Sequence, residues 1–460
     1  MKSMLIDRLV KIIGPEGVLH TPEDLAVYSY DGTFVESCPD VVVLPKSTDQ
    51  VSQVVKLAAE TRSPLVARGM GSGLAAGSVP LPGGGIVICL TRMNHILEID
   101  TINAAVRVEA GVITADLQAE VEKQGLFYPP DPSSIRHSTI GGNIACNAGG
   151  PRCLKYGVTG DYVLGLKVVL ADGRILQTGG KPIKDVTGYD LTALFTGSEG
   201  TLCLITEALL RLVARPKYAR TGLAEFIFLA DASRTVNAIL SAGIVPATLE
   251  LMDQTAIVCI EEAMHLGLPT DVEASLLIET DGSDEQTVIR EIEGAAKICL
   301  ENGARSMKMA SNEAERSRLW KARRSISPAL ARKAPNKLGE DITVPRSAIP
   351  DVVQRLREIS KQYGLPIVIF GHAGDGNLHP NILFDKRQPE QWVKVEQMVG
   401  EIFAASLAVG GTLSGEHGVG VLKRAYLENA LGPLSIEVHR KIKQALDPLN
   451  ILNPGKIFLS

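Results

Sequence analysis

The sequence predicts a mixed α+β chain with a domain boundary near residue 216, and three observations predict it. A short apolar strand, an amphipathic helix and a second strand follow one another between residues 41 and 68. Short strand patterns and one long glycine-rich stretch then occupy residues 86–176. Beyond Ala214-Arg-Pro-Lys217 the texture changes, and strands alternate regularly with amphipathic helices. Such alternation builds an open sheet covered by helices, expected here on one side.

The elements follow in order. MKSMLIDRLVKIIG reads as an amphipathic helix with Leu5, Ile6, Leu9, Ile12 and Ile13 on one side. Its interleaved charges and lack of a cleavage-like end argue against a leader. Thr21-Pro-Glu-Asp24 is a capped helix start. VVVLP at 41–45 is a buried strand, Ser47-Thr-Asp-Gln50 caps a helix running to about Thr61, and PLVAR at 64–68 is the next strand. Strands follow in IVICL, AAVRVEAG and YVLGLKVVLADGRIL, the last with the hairpin signal Asp172-Gly173. Thr114 to Gln124 reads as helix and Asp131 to Gly157 as loop. Strands and helices then alternate at 222–229, 232–242, 247–252, 253–265, 273–279, 284–302, 305–309 and 312–333.

Composition removes several classes of function. A net charge of −5 without a basic block gives nucleic acid or a lipid surface no electrostatic footprint. No run of 18 apolar residues exists, so no helix is expected to span a membrane, and the expected address is cytoplasmic. The seven cysteines, at 38, 89, 146, 153, 203, 259 and 299, form no CxxC pair. They read as reduced core residues, and their spacing excludes a standard iron–sulfur cluster.

Two loops carry binding chemistry. Gly71-Ser-Gly73-Leu-Ala-Ala76 fits a loose dinucleotide pattern, but Pro80, Pro82 and Gly83-Gly-Gly85 forbid the helix that pattern requires. Arg68-Gly-Met-Gly-Ser-Gly-Leu-Ala-Ala-Gly77 is therefore expected as an irregular loop that presents backbone N–H groups to phosphate. The second runs from Pro129 to Gly150, with Lys155-Tyr-Gly157 beyond it. It is too rich in Gly, Asn, Ser and Pro for an idle connection. Ser138, Thr139, Asn143 and Asn147 supply hydrogen-bonding groups there.

Together with Gly197-Ser-Glu-Gly-Thr-Leu-Cys-Leu-Ile205-Thr and Asn453-Pro-Gly-Lys456, these loops resemble the FAD-binding type-4 oxidoreductases, the vanillyl-alcohol oxidase and p-cresol methylhydroxylase relatives. The likeness runs from about Asp40 to the end. It is strongest to the branch of FAD-linked glycolate oxidase subunits and flavin D-lactate dehydrogenases. The resemblance implies a bipartite FAD-binding domain over 1–216, an α/β cap domain for substrate over 217–415, and a segment over 416–460 that returns to the FAD domain. The implied cofactor contacts are Arg68, Gly69, Met70, Gly71, Ser72, Gly73 and Leu74 at the pyrophosphate. Pro130, Asp131, Ser138, Thr139, Gly142, Asn143, Ala145, Gly149, Gly150, Tyr156, Gly157, Glu199, Gly200 and Ile205 line the adenosine and ring, and Asn453 sits by the isoalloxazine. No histidine stands in the first loop, so the FAD is expected to be dissociable.

Two further segments carry the polar groups that an alcohol oxidation needs. In Ile367-Val-Ile-Phe-Gly-His372-Ala-Gly-Asp-Gly-Asn-Leu-His379-Pro-Asn-Ile-Leu-Phe384, two apolar strands flank the turn signal AGDGN. A hairpin there lets His372 and His379 converge on one ion. Glu416, in the glycine-bracketed pair Glu416-His417, is assigned as the third ligand of a divalent Zn, Mn or Fe, and His417 stays free to accept a hydroxyl proton. Arg323 matches the family's substrate-carboxylate arginine. The implied reaction is metal-assisted oxidation of a small D-2-hydroxy acid, D-lactate or glycolate, to the 2-oxo acid. Electrons would leave to an iron–sulfur subunit, an electron-transferring flavoprotein or a quinone, with any membrane association made through that partner. Two alternatives stay open: an FAD-containing transferase of the alkyl-glycerone-phosphate synthase type, and a non-catalytic electron-relay flavoprotein subunit.

Overall fold

Val41, Val42 and Val43 are all fully buried, which is why their strand reads as an unbroken apolar run rather than an alternation. In the computed structural model, which describes residues 2–458, Val41–Val43 pairs in parallel with Ile86–Cys89, and Ile86–Cys89 in turn with Leu65–Arg68. Val18–Leu19 adds an antiparallel edge. The helix Thr48–Thr61 makes the crossover. Ser47 Oγ caps it by accepting from Gln50 N at 3.3 Å. Its Val51, Val54, Val55 and Ala58 share a core with Leu9 and Ile13 of the helix Lys2–Ile13. A second, antiparallel sheet has the order Ile96–Asp100, Ala105–Glu109, Leu204–Arg211, Val163–Val169, Ile175–Gly179. Its last pair is joined through Gly173, whose φ of +81° suits glycine.

These elements belong to a unit made of Met1–Gly149, Val158–Arg215 and Glu416–Ser460. Gly150–Gly157 and Pro216–Gly415 form a second unit. Its antiparallel sheet has eight strands, ordered Ala304–Met309, Tyr218–Phe226, Ala274–Gly282, Thr248–Asp253, Ile367–His372, Asn377–Phe384, Asn336–Gly339, with Ile342–Thr343 also on Asn377–Phe384. Helices cover both faces, not one as the alternation suggested. Leu223, Met252, Leu277, Val368 and Phe370 pack beneath Gln254–Met264, Glu313–Arg324 and Ile326–Lys333. Thr280 points the other way and donates to Val288 O in the helix Glu285–Glu301. The sequence hides this because a strand buried on both faces loses its alternation.

Two further expectations change. The helical pattern at 312–333 divides into Glu313–Arg324 and Ile326–Lys333. Pro328 explains the break, since its ring would clash with the carbonyl of Arg324 in a continuous helix, yet it is tolerated in the first turn of a new one. The stretch Asp131–Gly157, expected as loop, contains the helices Ile140–Cys146 and Cys153–Tyr156. Among the described residues no helix is long and apolar enough to cross a membrane.

Candidate active site

In the first unit, residues 69–77 form an irregular loop, as Pro80 and Pro82 require. Its backbone is polarised. Among the described residues, no N–H from Gly69 to Gly77 donates to an acceptor. The carbonyls from Ala75 to Val79, in contrast, are all engaged. Ala75 O accepts from Val421 N at 2.9 Å, Ala76 O from Lys456 Nζ at 2.6 Å, Gly77 O from Asn453 Nδ2 at 3.0 Å and Ser78 O from Arg68 Nη1 at 3.5 Å. Val79 O accepts from Lys456 Nζ as well. Burial pulls the Lys456 ammonium down to about 8. A run of unpaired N–H donors with a buried cation behind the loop fits an FAD diphosphate.

The second loop closes against the first. A Cβ on Gly69 would lie 2.3 Å from Thr139 Oγ1, so only glycine admits this approach. Thr139 caps Ile140–Cys146 by accepting from Gly142 N at 3.2 Å. The polar side chains expected to meet a ligand here also bond internally. Asn143 donates to Thr114 Oγ1 at 2.7 Å, Thr114 and Ser138 share a 3.1 Å hydroxyl bond, and Asn147 Oδ1 accepts from Gly160 N. The helix they build was missed because its sequence, IGGNIAC, has weak helix formers and is identified only by its cap.

Glu199, with φ of +52°, accepts from Val419 N at 2.7 Å and from Gly420 N at 2.8 Å. Burial pushes its carboxyl up. Its own N–H donates to Ala145 O, and its carbonyl accepts from Asn453 Nδ2 at 2.7 Å. Glu199 thus ties the returning segment to the unit through its carboxylate. Pro130 O accepts from Gln118, Asp131 stands next to it in the chain, and Gly200 has φ of +69°. Ile205 is buried and registered opposite Val168 in the antiparallel sheet. Met70 and Leu74 keep exposed side chains.

Gly150, Tyr156 and Gly157 fall in the second unit, unlike their neighbour Gly149. Tyr156 Oη donates to Asp281 Oδ2 at 2.7 Å, and Lys155 Nζ to Asp281 Oδ1 at 2.6 Å. This pins the 150–157 segment to the end of strand Ala274–Gly282.

The second unit also builds the histidine site. His372 pairs with Asn377 and Phe370 with His379, so the two histidines are diagonal neighbours on one sheet face. Their ring centroids are 5.1 Å apart, edge to face. Glu250, registered opposite His372, is fully buried on the same face. Its Oε1 is 2.6 Å from His372 Nδ1, and its Oε2 accepts from Arg323 Nε at 2.5 Å. Burial alone would raise the Glu250 carboxyl, but Arg323 and then His372 hold it below its ordinary value. The carboxylate therefore fixes His372 with Nδ1 as donor, which turns Nε2 to the opposite side of the ring. Arg323 stacks 5.1 Å from the Phe370 ring. One and two turns back on the same helix, Trp320 Nε1 and Arg316 Nε both donate to the buried Glu279 Oε2, at 2.7 and 2.9 Å.

His379 Nδ1 lies 3.7 Å from Oδ1 of the buried Asp341. Asp341 accepts from Asn377 Nδ2 at 2.7 Å, Ser414 Oγ at 2.8 Å and Gly415 N at 3.0 Å. Ser414 and Gly415 are thereby held near His379. Sequence reasoning missed Glu250, Asp341 and Asn377. The available signals were an acid inside the apolar strand TLELMD and the acid pair Glu340-Asp341.

Comparison with known proteins agrees with this architecture. A family described as FAD linked oxidases, C-terminal domain, matches residues 215–457, and an FAD binding domain matches residues 39–179. Glycolate oxidase subunit GlcD of Bacillus subtilis is 49% identical, covering 98% of this chain and 96% of that protein. The D-lactate dehydrogenase of Anaerostipes hadrus is 35% identical, covering 97% and 96%. Among solved structures, p-cresol methylhydroxylase with substrate bound gives a TM-score of 0.84 at 18% identity, covering 100% of this chain and 97% of that one. An alkyldihydroxyacetonephosphate synthase gives 0.77 at 20%, covering 98% and 85%. Likeness to two such differently named enzymes establishes the fold and selects no activity. The domain matches and the near full-length relatives do more: the chain belongs to the FAD-linked oxidases and is an FAD-dependent oxidoreductase with a p-cresol methylhydroxylase-type fold.

Proposed function

We propose that this chain oxidises a small D-2-hydroxy acid, D-lactate or glycolate, to the 2-oxo acid and passes the electrons to a partner. The observation that carries the reading is the shared carboxylate of Glu250, which fixes a guanidinium and an imidazole in one buried network. Relatives named for glycolate and D-lactate support the substrate class. FAD, held without a covalent bond by Arg68 to Leu74, Asn453 and the loop ending at Gly157, supplies the two-electron acceptor. A divalent Zn, Mn or Fe, held by His372, His379 and Glu416, supplies a Lewis acid for the substrate hydroxyl.

The protein's own groups do the rest. Arg323 uses the N–H groups not committed to Glu250 to orient the substrate carboxylate. His417 accepts the hydroxyl proton. Asp341 anchors the chain entering Glu416 and His417, which limits their freedom before substrate arrives. With seven free cysteines and no cluster motif, electrons leave through an iron–sulfur subunit, an electron-transferring flavoprotein or a quinone. A cytoplasmic address, with membrane association only through that partner, goes with this reading.

Anaerobic mixing with D-lactate or glycolate tests it. Either acid is expected to bleach the flavin absorbance, and prior chelation of the metal to slow that bleaching. A yellow protein that neither acid bleaches would return the reading to the transferase alternative. His417→Ala is expected to slow reduction by about 10²–10⁴-fold. An unchanged rate would favour an electron relay.

A further inference from the structure

We infer that Lys456 is a positioning residue for FAD: a latch behind the 69–79 loop that turns its carbonyls inward and its N–H groups toward the diphosphate. The inference rests on the reading that this loop holds FAD. The argument is one of peptide geometry. In an irregular loop, nothing intrinsic keeps successive amides aligned, and N–H and C=O of one peptide point in opposite directions. Any group that captures the carbonyl therefore aims the amide. Lys456 Nζ captures Ala76 O, which aims the Gly77 N–H, and also Val79 O, whose peptide with Pro80 carries no N–H and which serves to hold the ammonium in place; Val421 N and Asn453 Nδ2 capture Ala75 O and Gly77 O and so aim the N–H groups of Ala76 and Ser78.

The latch is itself rigidly mounted. Lys456 is 2% exposed, and its only acceptors among the described residues are these carbonyls. The segment before it is knotted by Asp447, which accepts from Ile451 N at 3.1 Å and Leu452 N at 2.8 Å, and by Lys443, which donates to Thr201 O and Leu452 O at 2.8 Å. Ile457 N donates to Gly420 O at 2.9 Å, closing the far side. A buried ammonium that, among the described residues, carries no carboxylate ion pair and is instead spread over two loop carbonyls sets loop conformation and adds positive potential behind the N–H row.

The test compares the dissociation constants of FAD and riboflavin for the apoprotein, read by flavin fluorescence. The wild type is expected to bind FAD far more tightly than riboflavin, because only FAD reaches the loop. Lys456→Met is expected to narrow that gap by about tenfold while leaving riboflavin affinity unchanged, and Lys456→Arg to restore most of it. A wild type that binds both flavins equally would sink the loop assignment itself. A wide gap unaltered by Lys456→Met would sink the latch alone. A fall in both affinities together would also sink it, as would an equal loss in Lys456→Arg. Should Lys456→Met not fold, Lys456→Gln, which keeps two N–H donors without the charge, is expected to narrow the gap by a few-fold, and no change would overturn the latch.

Discussion

The two units hold their functional groups in opposite ways. In the first, side chains from the returning segment fix a stretch of backbone, and the groups proposed to meet a ligand are amides. In the second, buried carboxylates fix other side chains, and the groups proposed to bind are an imidazole pair and a guanidinium. A backbone site tolerates side-chain change but not a shift of the chain. A side-chain site built on shared carboxylates concentrates several functions in one residue.

The largest effect expected from this contrast is at Glu250. Glu250→Ala leaves Arg323 buried without its partner and His372 without its anchor. It is expected to cost about 3–5 kcal/mol of stability, read by urea unfolding. Metal content and substrate affinity are expected to fall together. Loss of only one of the two would show that the carboxylate does not couple them.

Next comes a shift of backbone in the first unit. Gly420 has φ of +49°, and a Cβ there would lie 1.9 Å from Ala75 O. Gly420→Ala must push the loop, and we expect at least a tenfold loss of FAD affinity, measured by titrating the apoprotein. Retained affinity would mean that the loop's exact path is unimportant.

A third effect appears in pH dependence. Burial pushes the Asp253 carboxyl up to about 7, although it accepts from Ala256 N and Ile369 N at 2.8 Å. The folded state then holds a proton that the unfolded state has released. Stability from this group is full below about pH 4 and is lost as pH rises toward 7, by at most about 1.4 kcal/mol per pH unit. Asp253→Asn should flatten that slope in thermal unfolding curves, and an unchanged slope would point to another group. The smallest effect sharpens the contrast. Met70→Ala alters an exposed side chain in a loop proposed to bind through its amides, so FAD affinity should change less than about threefold.

Much of this was legible in the residues. Ser47 and Thr21 announced helix starts, and the AGDGN turn announced the hairpin that makes His372 and His379 neighbours. Pro80 and Pro82 ruled out a helix after the first glycine loop, and none forms. Glu250 was not legible, because an acid within an apolar strand could face water or a partner from a helix 73 residues away. The bonds of Asn143 and Ser138 to Thr114 were likewise not legible, because Thr114 lies in a helix that sequence proximity does not reveal.

Local chemistry was thus determined by the sequence itself: caps, turns, forbidden helices and the residue types able to bind metal, carboxylate or diphosphate. These depend on φ limits, missing N–H groups and near neighbours, all set within a few residues. Only the tertiary structure decided which carboxylate meets which cation, and which face of each loop peptide is left to bind. Those pairings join residues far apart in the chain, and burial makes them strong only once the whole fold has excluded water.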